Sequence, residues 1–598
     1  MILQSLANYY HRLVDEQSTD VAPLGFETKE IPFLIVLDGS GDFINLRDTR
    51  DDDNKRGRRF IVPQGEKKTV GIKANLLWDS PAYVLGKYIP DEKKDISKQK
   101  RQEQNVPKQH MAFVERFSET FPKSFQNDGI NAVRRFIEKG DFENIYSHPK
   151  WQEIEKINGN LSFILEAKPG LICQDEDVMR QIMSASDLKH SDIQVCSITG
   201  EYDVPAVLHT AIKGVWGAQT SGANIVSFNQ DAFCSFGKWK AQGLNAPVGS
   251  KAQFAYTTAL NTLLAKGSRQ RMQVGDASTV FWAKEKHSIE QEVLSLFAEP
   301  DKETGKDNTE AVRSLITSVK TGVYPPEDEL PFYMLGLSPN AARISVRFWY
   351  EGTVKDFKRK ICDHFEDILI EHGPKESDYL SLFRLLVCTA VDSKADNIQP
   401  NLAGEFMQSI LKGAPYPRSL LPAVLRRIKA EQSKRSPDGR VLQNVTYPRA
   451  SLIKGVLVRN ARYYLQKEKE VGVSLDRENG NIGYRLGRLF AVLERVQQSA
   501  LGDINATIRD RFYGAASTNP VTVFPRLMKL KNYHLSKMEN KGRVVNLEKE
   551  ISEILKEVTS FPTHLLLEDQ GRFAIGYYHE RNDFFTKHEK KEEGGQEE

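Results

Sequence analysis

Residues 482–512 read IGYRLGRLFAVLERVQQSALGDINATIRDRF. Ile482, Leu486, Leu489, Phe490, Leu493, Val496, Ala500, Ile504, Ile508 and Phe512 recur every three or four positions. That period puts them on one stripe of a helix, so the stretch predicts one long amphipathic helix with a face to bury. The sequence that follows supplies partners for that face. Asn519-Pro520 sets a capping residue before a proline at the first helical position, where a missing N–H costs nothing. A second helix then carries Phe524, Leu527 and Leu530, and a third Leu547, Ile551, Ile554, Leu555 and Val558. A fourth carries Leu566, Gln570, Phe573, Tyr577 and Phe584. Four such helices with short breaks predict a four-helix bundle over 471–586, large enough to fold alone. Residues 587–598, KHEKKEEGGQEE, are too polar to join it and predict a disordered tail.

Upstream the pattern is mixed. Ile2, Leu6, Tyr9, Tyr10 and Leu13 open the chain with a short amphipathic helix. The runs IPFLIVL (31–37) and FINL (43–46) flank Asp38-Gly-Ser-Gly-Asp42, a β-hairpin signal. Further strands are predicted at 60–62, 163–167, 193–198 and 279–283, and two more within 332–349 around a Ser338-Pro-Asn340 turn. Helices are predicted at 111–117, 131–138 and 175–185, and over most of the chain after Val354. Residues 91–104 read as a helix or a mobile loop. The fold class is α+β: a mixed N-terminal α/β region over 1–300, a middle α+β to helical basic region over 301–470, and the bundle. Asp301 to Asn308 is a charged, glycine-containing break that suits a linker. A chain of 598 residues fits roughly three to five domains.

The net charge is only +3, so any polyanion site is a local patch. Two segments qualify. Residues 206–261 hold one acid, Asp231, against Lys213, Lys238, Lys240 and Lys251, with glycines, amides and aromatics between them. Residues 418–469 set Arg418, Arg426, Arg427, Lys429, Lys434, Arg435, Arg440, Arg449, Lys454, Arg459, Arg462, Lys467 and Lys469 against Glu431, Asp438 and Glu468. This second segment reads equally as solvated helix faces or as a phosphate-backbone channel.

Several classes of chemistry find no support. No run of about 18 apolar residues predicts a membrane span, and no basic-then-apolar start predicts a secretory signal. Five scattered cysteines without a C-x-x-C pair suit reduced thiols in a cytoplasm and no structural zinc. Cys362, His364 and His372 read as ordinary helix residues, and Asp51, Asp52 and Asp53 as a solvated loop. Residues 214–222 have the glycines of a phosphate loop but lack its terminal lysine and hydroxyl. There is no H-E-x-x-H, no His-Asp dyad and no G-x-S-x-G elbow. No catalytic residue, metal or cofactor is expected.

What remains is recognition. Glycines bring backbone amides close to a groove edge, and Lys213, Gln219, Ser221, Asn224 and Asn229 are donors. The minor groove displays mainly acceptors, which such donors suit. The alternative is a glycine-rich turn capping a strand at 225–228, over a core of Phe228, Phe233, Phe236 and Trp239.

The chain resembles the large subunit of the type I-C CRISPR Cascade complex. The resemblance rests on residues 73–86 (KANLLWDSPAYVLG) and on 209–261, with GAQTSGANIVSFN and QGLNAP. It extends through 335–347 (LGLSPNAARISVR), 483–494 (GYRLGRLFAVLE) and 570–579 (QGRFAIGYYH). It implies a non-enzymatic subunit of an RNA-guided antiviral complex that sits near the 5′ handle of the guide RNA. Such a subunit recognises a protospacer-adjacent motif in double-stranded target DNA, promotes duplex opening and R-loop formation, and helps recruit a helicase-nuclease. Its partners would be the backbone and handle-binding Cascade subunits and the small subunit, to which the C-terminal bundle corresponds. On this reading the DNA contacts are Lys213, Gly214, Gln219, Ser221, Gly222, Asn224 and Asn229 first, then Lys73 and Asn75, then Asn245. Arg426, Arg427, Lys429, Arg459 and Arg462 would follow a nucleic-acid backbone. A nuclease with an unfamiliar site and a general RNA-binding scaffold are the competing readings. A bundle that folds alone also raises an internal translation start near Val471 or Val473, which would be non-AUG because no methionine lies between Met407 and Met528.

Overall fold

The hairpin predicted around Asp38 is the seed of the first sheet. In the computed structural model of the chain, β1 is Phe26–Glu30, β2 Phe33–Leu37, β3 Phe43–Asp48, β4 Arg59–Pro63, β5 Trp78–Asp79 and β6 Leu161–Leu165. The structure describes residues 1–598 except 17–20, 52–55, 67, 69–70, 91–94, 188–192, 229, 236–241, 298–307, 323, 400, 440, 468–469, 503–505 and 586–598. The expected linker at 301–308 and the expected tail therefore fall almost wholly outside the described residues. The chain divides into two units: Met1–Ile212 with Asn224–Thr262, and Lys213–Ala223 with Leu263–Glu598.

In the first unit the sheet runs β3-β2-β6-β5. β2 pairs antiparallel with β3 and parallel with β6. The central strands FLIVL and LSFIL are buried at every position, as expected for strands covered on both faces. Helices Ile96–Thr120 and Asp128–Lys139 supply Phe113, Phe117 and Phe136 to the same core. The second of these starts where the Asn127 side chain accepts the Ile130 N–H and stops at left-handed Gly140. The strand expected at 193–198 shrinks to β7, Gln194–Val195, paired with β8, Tyr202–Asp203. The chain reverses directly afterwards, with the Gly200 N–H on Cys196 O.

The second unit holds an antiparallel meander, β12-β11-β10-β9, of Arg271–Val274, Ala277–Ala283, Pro331–Asn340 and Arg343–Thr353 in chain order. The turn falls later than expected: Asn340 pairs with Arg343, and the reversal is at Ala341 and Ala342, with Ala341 at φ 52. Pro339 stays in β11 because β10 stops pairing at Leu337, so its missing N–H breaks no ladder.

The long helix predicted over 482–512 is two helices, Ile482–Leu501 and Ile508–Ala516. The first ends at Gly502 with φ 65, and a Thr507–Asp510 capping box starts the second. Ile508 still enters the common core, which is why the apolar period runs on across the break. Pro520–Ser536, Lys541–Leu555 and Leu567–Asp583 follow as expected.

Glycines seat the 482–501 helix against the 567–583 helix. A Cβ on Gly487 would fall well inside van der Waals contact distance of Phe573 O, and one on Gly576 well inside that of Tyr484 O. The bundle does not stand apart from what precedes it. One apolar core runs from Val274 to Tyr578, and a Cβ on Gly571 would lie 3.2 Å from Ile453, 3.3 Å from Leu421 and 3.7 Å from Leu457.

Candidate nucleic-acid interface

The Lys213–Ala223 segment belongs to the second unit, although the chain on either side belongs to the first. Val215 and Ala223 are buried and anchor it. Gly214 has φ +85, and a Cβ there would lie 2.6 Å from Leu264 O, so both conformation and space require glycine. The Trp216 N–H donates to Ser278 Oγ of β10 at 2.9 Å. Two tight turns shape the rest: the Ala218 N–H bonds Val215 O at 3.1 Å, and the Gly222 N–H bonds Gln219 O at 2.9 Å. Lys213, Trp216, Gln219, Thr220 and Ser221 are left exposed on this mount.

The first unit holds the other nominated residues in two groups. Asn224 donates through Nδ2 to His209 O at 2.9 Å. It lines a pocket of about 120 Å³ with Leu208, His209, Phe228, Gln242 and Gly243. Asn245 fixes the adjoining turn, donating to Gln242 O at 3.0 Å and accepting from the Ser235 N–H at 3.1 Å. Lys73 and Asn75 sit in another loop. Lys73 is exposed, 3.7 Å from Glu66. Asn75 is only 5% exposed; its Oδ1 accepts the Glu66 N–H and its own N–H bonds Asp79, each at 2.9 Å. Asn75 therefore shapes the loop that presents Lys73. Asn229 lies outside the described residues, as do Phe236 and Trp239. The strand of the alternative reading is absent: 225–228 pairs with no strand among the described residues, and Phe233 is exposed.

The basic segment is partly inward-facing. Arg459 is buried; it pairs with Asp367 at 2.8 Å, bonds Ser409 O and Ala414 O, and stacks over Tyr416. Lys454 is also buried, and desolvation pushes its ammonium down to about 8. Lys429 donates to Gln570 at 2.7 Å, and burial lowers it too. Arg427 lies 4.0 Å from Glu431. Arg462 pairs with Asp367 but keeps half its side chain in solvent, and Arg426 is exposed. Part of the surplus charge thus turns inward: Arg459 and Arg427 answer Asp367 and Glu431, while Lys429 and Lys454 donate to neutral amide and carbonyl oxygens.

A basic face that sequence reading missed lies on the Pro520–Ser536 helix. Its 17 residues contain no acid. Arg526, Lys529 and Tyr533 are exposed at helical spacing, with Lys537 just beyond the end and 4.4 Å from the Tyr533 ring. The missing acids were the readable signal.

Among the described residues no group of three or more His, Cys, Asp or Glu side chains is placed to hold a metal ion. None of their helices is long and apolar enough to cross a membrane. The cysteines Cys173, Cys196, Cys362 and Cys388 are buried free thiols. No curated protein matches the chain. The family described as CRISPR-associated protein (Cas_Csd1) matches residues 6–585. The match takes in both units and the helices that close the core, so the chain belongs to the Cas_Csd1 family of CRISPR-associated proteins and matches the type I-C Cascade large subunit it resembles.

Proposed function

We propose that this Cascade subunit reads a short protospacer-adjacent motif in duplex DNA with the 213–223 loop of its second unit, and that Lys73, Asn224 and Asn245 of the first unit are separate candidate DNA contacts. Opening of the duplex for the guide RNA and recruitment of a helicase-nuclease belong to the same reading. The observation that carries it is the loop itself. Gln219 and Ser221 are exposed donors on a backbone fixed by buried anchors, and no carboxylate occurs between Asp203 and Asp231 to repel phosphate. Fixed donors facing a groove of acceptors give discrimination as well as attraction. Arg426, Arg462 and the Arg526–Lys537 face supply sequence-independent backbone contacts.

The test uses the guide-loaded assembled complex and duplexes with intact or altered motif. Gln219→Ala with Ser221→Ala is expected to cut discrimination by on the order of tenfold, the scale of one lost base-edge contact. Lys73→Ala is expected to weaken all duplexes alike and flatten the salt dependence. Unchanged discrimination in the double variant removes the loop as reader. A general RNA scaffold predicts indifference to the motif even in the wild type, and a nuclease predicts metal-dependent cleavage of labelled DNA by the chain alone.

A further inference from the structure

The arginines of the C-terminal region fall into two groups. Arg477, Arg485, Arg488, Arg509 and Arg572 each lie within 3.4 Å of a carboxylate. Arg495, Arg543 and Arg581 pair with none among the described residues. These three stand on three different helices, Ile482–Leu501, Lys541–Leu555 and Leu567–Asp583. The Arg495 guanidinium lies 5.8 Å from the Phe584 ring and 5.7 Å from the Phe585 ring, just past the end of the last helix. Burial, and then the charges of Arg543 and Arg581, hold Arg495 below the ordinary arginine value, so the three cations share one locality. The carboxylates beside Arg495 and Arg581 are engaged elsewhere: Glu494 with Thr507 and Tyr577, Glu580 with Arg488, and Asp583 with Arg477. Converging like charges cost free energy until an anion neutralises them.

We propose that the 592–598 segment folds back onto the Arg495, Arg543 and Arg581 cluster and holds it as a tethered polyanion, which any outside polyanion must displace. Residues 586–598 lie outside the described residues; they suit the cluster by charge and by reach. Residues 592–598 read EEGGQEE, four carboxylates with no lysine or arginine. The chain enters the segment from Phe585, one of the two rings against which Arg495 rests. The seven residues from Thr586 to Glu592 span at most about 25 Å, ample for a cluster whose nearest member, Arg581, is one helical turn before Phe585. A short tether sets an effective concentration on the order of millimolar, so weak ion pairing is enough for occupancy. Gly594-Gly595 lets the two glutamate pairs reach separate guanidiniums. Docking of this kind needs no apolar core, which so polar a segment could not form.

The test uses the full chain carrying the photo-cross-linker p-benzoylphenylalanine in place of Gln596. Irradiation at low salt is expected to give an intramolecular product at the stretches around Arg495, Arg543 and Arg581, mapped by mass spectrometry. Salt at about 1 M, which cuts the screening length to about 3 Å, is expected to abolish it. No such product, a product elsewhere, or one indifferent to salt overturns the proposal. Binding of a heparin oligosaccharide gives a second readout. Glu592→Gln, Glu593→Gln, Glu597→Gln and Glu598→Gln together are expected to tighten it about three- to tenfold at low salt, the factor that a weak tethered competitor imposes. With Arg543→Gln and Arg581→Gln also present, that gain is expected to vanish. An equal gain in both backgrounds is a general charge effect and overturns the proposal, as does no gain in either. The cross-link needs no arginine variant, so it decides the matter even where the arginine pair cannot be replaced without loss of fold.

Discussion

At the scale of single residues, burial decides what each polar group does. His579 is fully buried, with Nδ1 2.9 Å from Tyr484 Oη. Burial, and then the charge of Lys454, push it down to about 4. His364 is displaced in the same direction by burial and Arg459. In the unfolded chain a histidine takes its proton near pH 6.5. Between there and about 4 the unfolded state binds a proton that folded His579 refuses, so stability is present above pH 6.5 and falls as pH drops. About 2 kcal/mol is expected to be lost from this site between pH 7.5 and pH 5. Denaturant midpoints across that range should show it, and His579→Gln should flatten the slope; parallel slopes in the two proteins would contradict it. The same dependence on burial limited what could be read beforehand. Gln219 and Ser221 are legible as exposed donors because their glycine-rich surroundings are local. Arg459 is not, because the carboxylate that takes it inward, Asp367, lies 92 residues away. Asn75 looks like a groove amide in the sequence and becomes a loop brace only once Glu66 and Asp79 fold around it.

At the scale of elements, the helices of the C-terminal region were legible and their close seating was not. Period and capping place Pro520–Ser536, Lys541–Leu555 and Leu567–Asp583. The break at Gly502 escaped because the residues beyond it keep the same apolar phase. Nor does periodicity reveal which glycines touch a facing backbone. Gly487→Ala is expected to cost about 1–3 kcal/mol or more, since the added methyl meets Phe573 O rather than a side chain that can rotate away. Gly542→Ala is the control: its nearest neighbour would be 3.5 Å away, on the Asn540 side chain, and helix propensity favours the change by up to about 1 kcal/mol. Thermal unfolding of both variants reads the difference, and equal midpoints would show that the helix pair can move apart without loss.

At the scale of the whole molecule, the chain threads between its two units, leaving the first at Ile212, returning at Asn224 and leaving again at Thr262. The sequence pattern separates strands from helices well enough to give the α+β class. It does not show that the last helices share a core with those before them. Arg572 pairs with Glu470 at 2.5 Å, and the Gly514 N–H bonds Gln432 at 2.8 Å. A separate chain starting near Val471 would leave the Gly571 face without Leu421, Ile453 and Leu457 to cover it. A purified 471–598 fragment is therefore expected to bind an apolar dye or self-associate, and to unfold at lower denaturant than the intact chain. A monomeric fragment with the intact chain's midpoint would show that the bundle is self-sufficient. Synthesis order sets a further condition. The strands of the first sheet have all left the ribosome once Leu165 has, so that sheet can close while translation continues. The second core waits for its last described helix, and until Phe573 and Gly576 emerge the glycine face of the 482–501 helix has nothing to seat against. A nascent chain therefore carries an open apolar cleft from the completion of the 482–501 helix until Gly576 emerges, the kind of surface that chaperones bind.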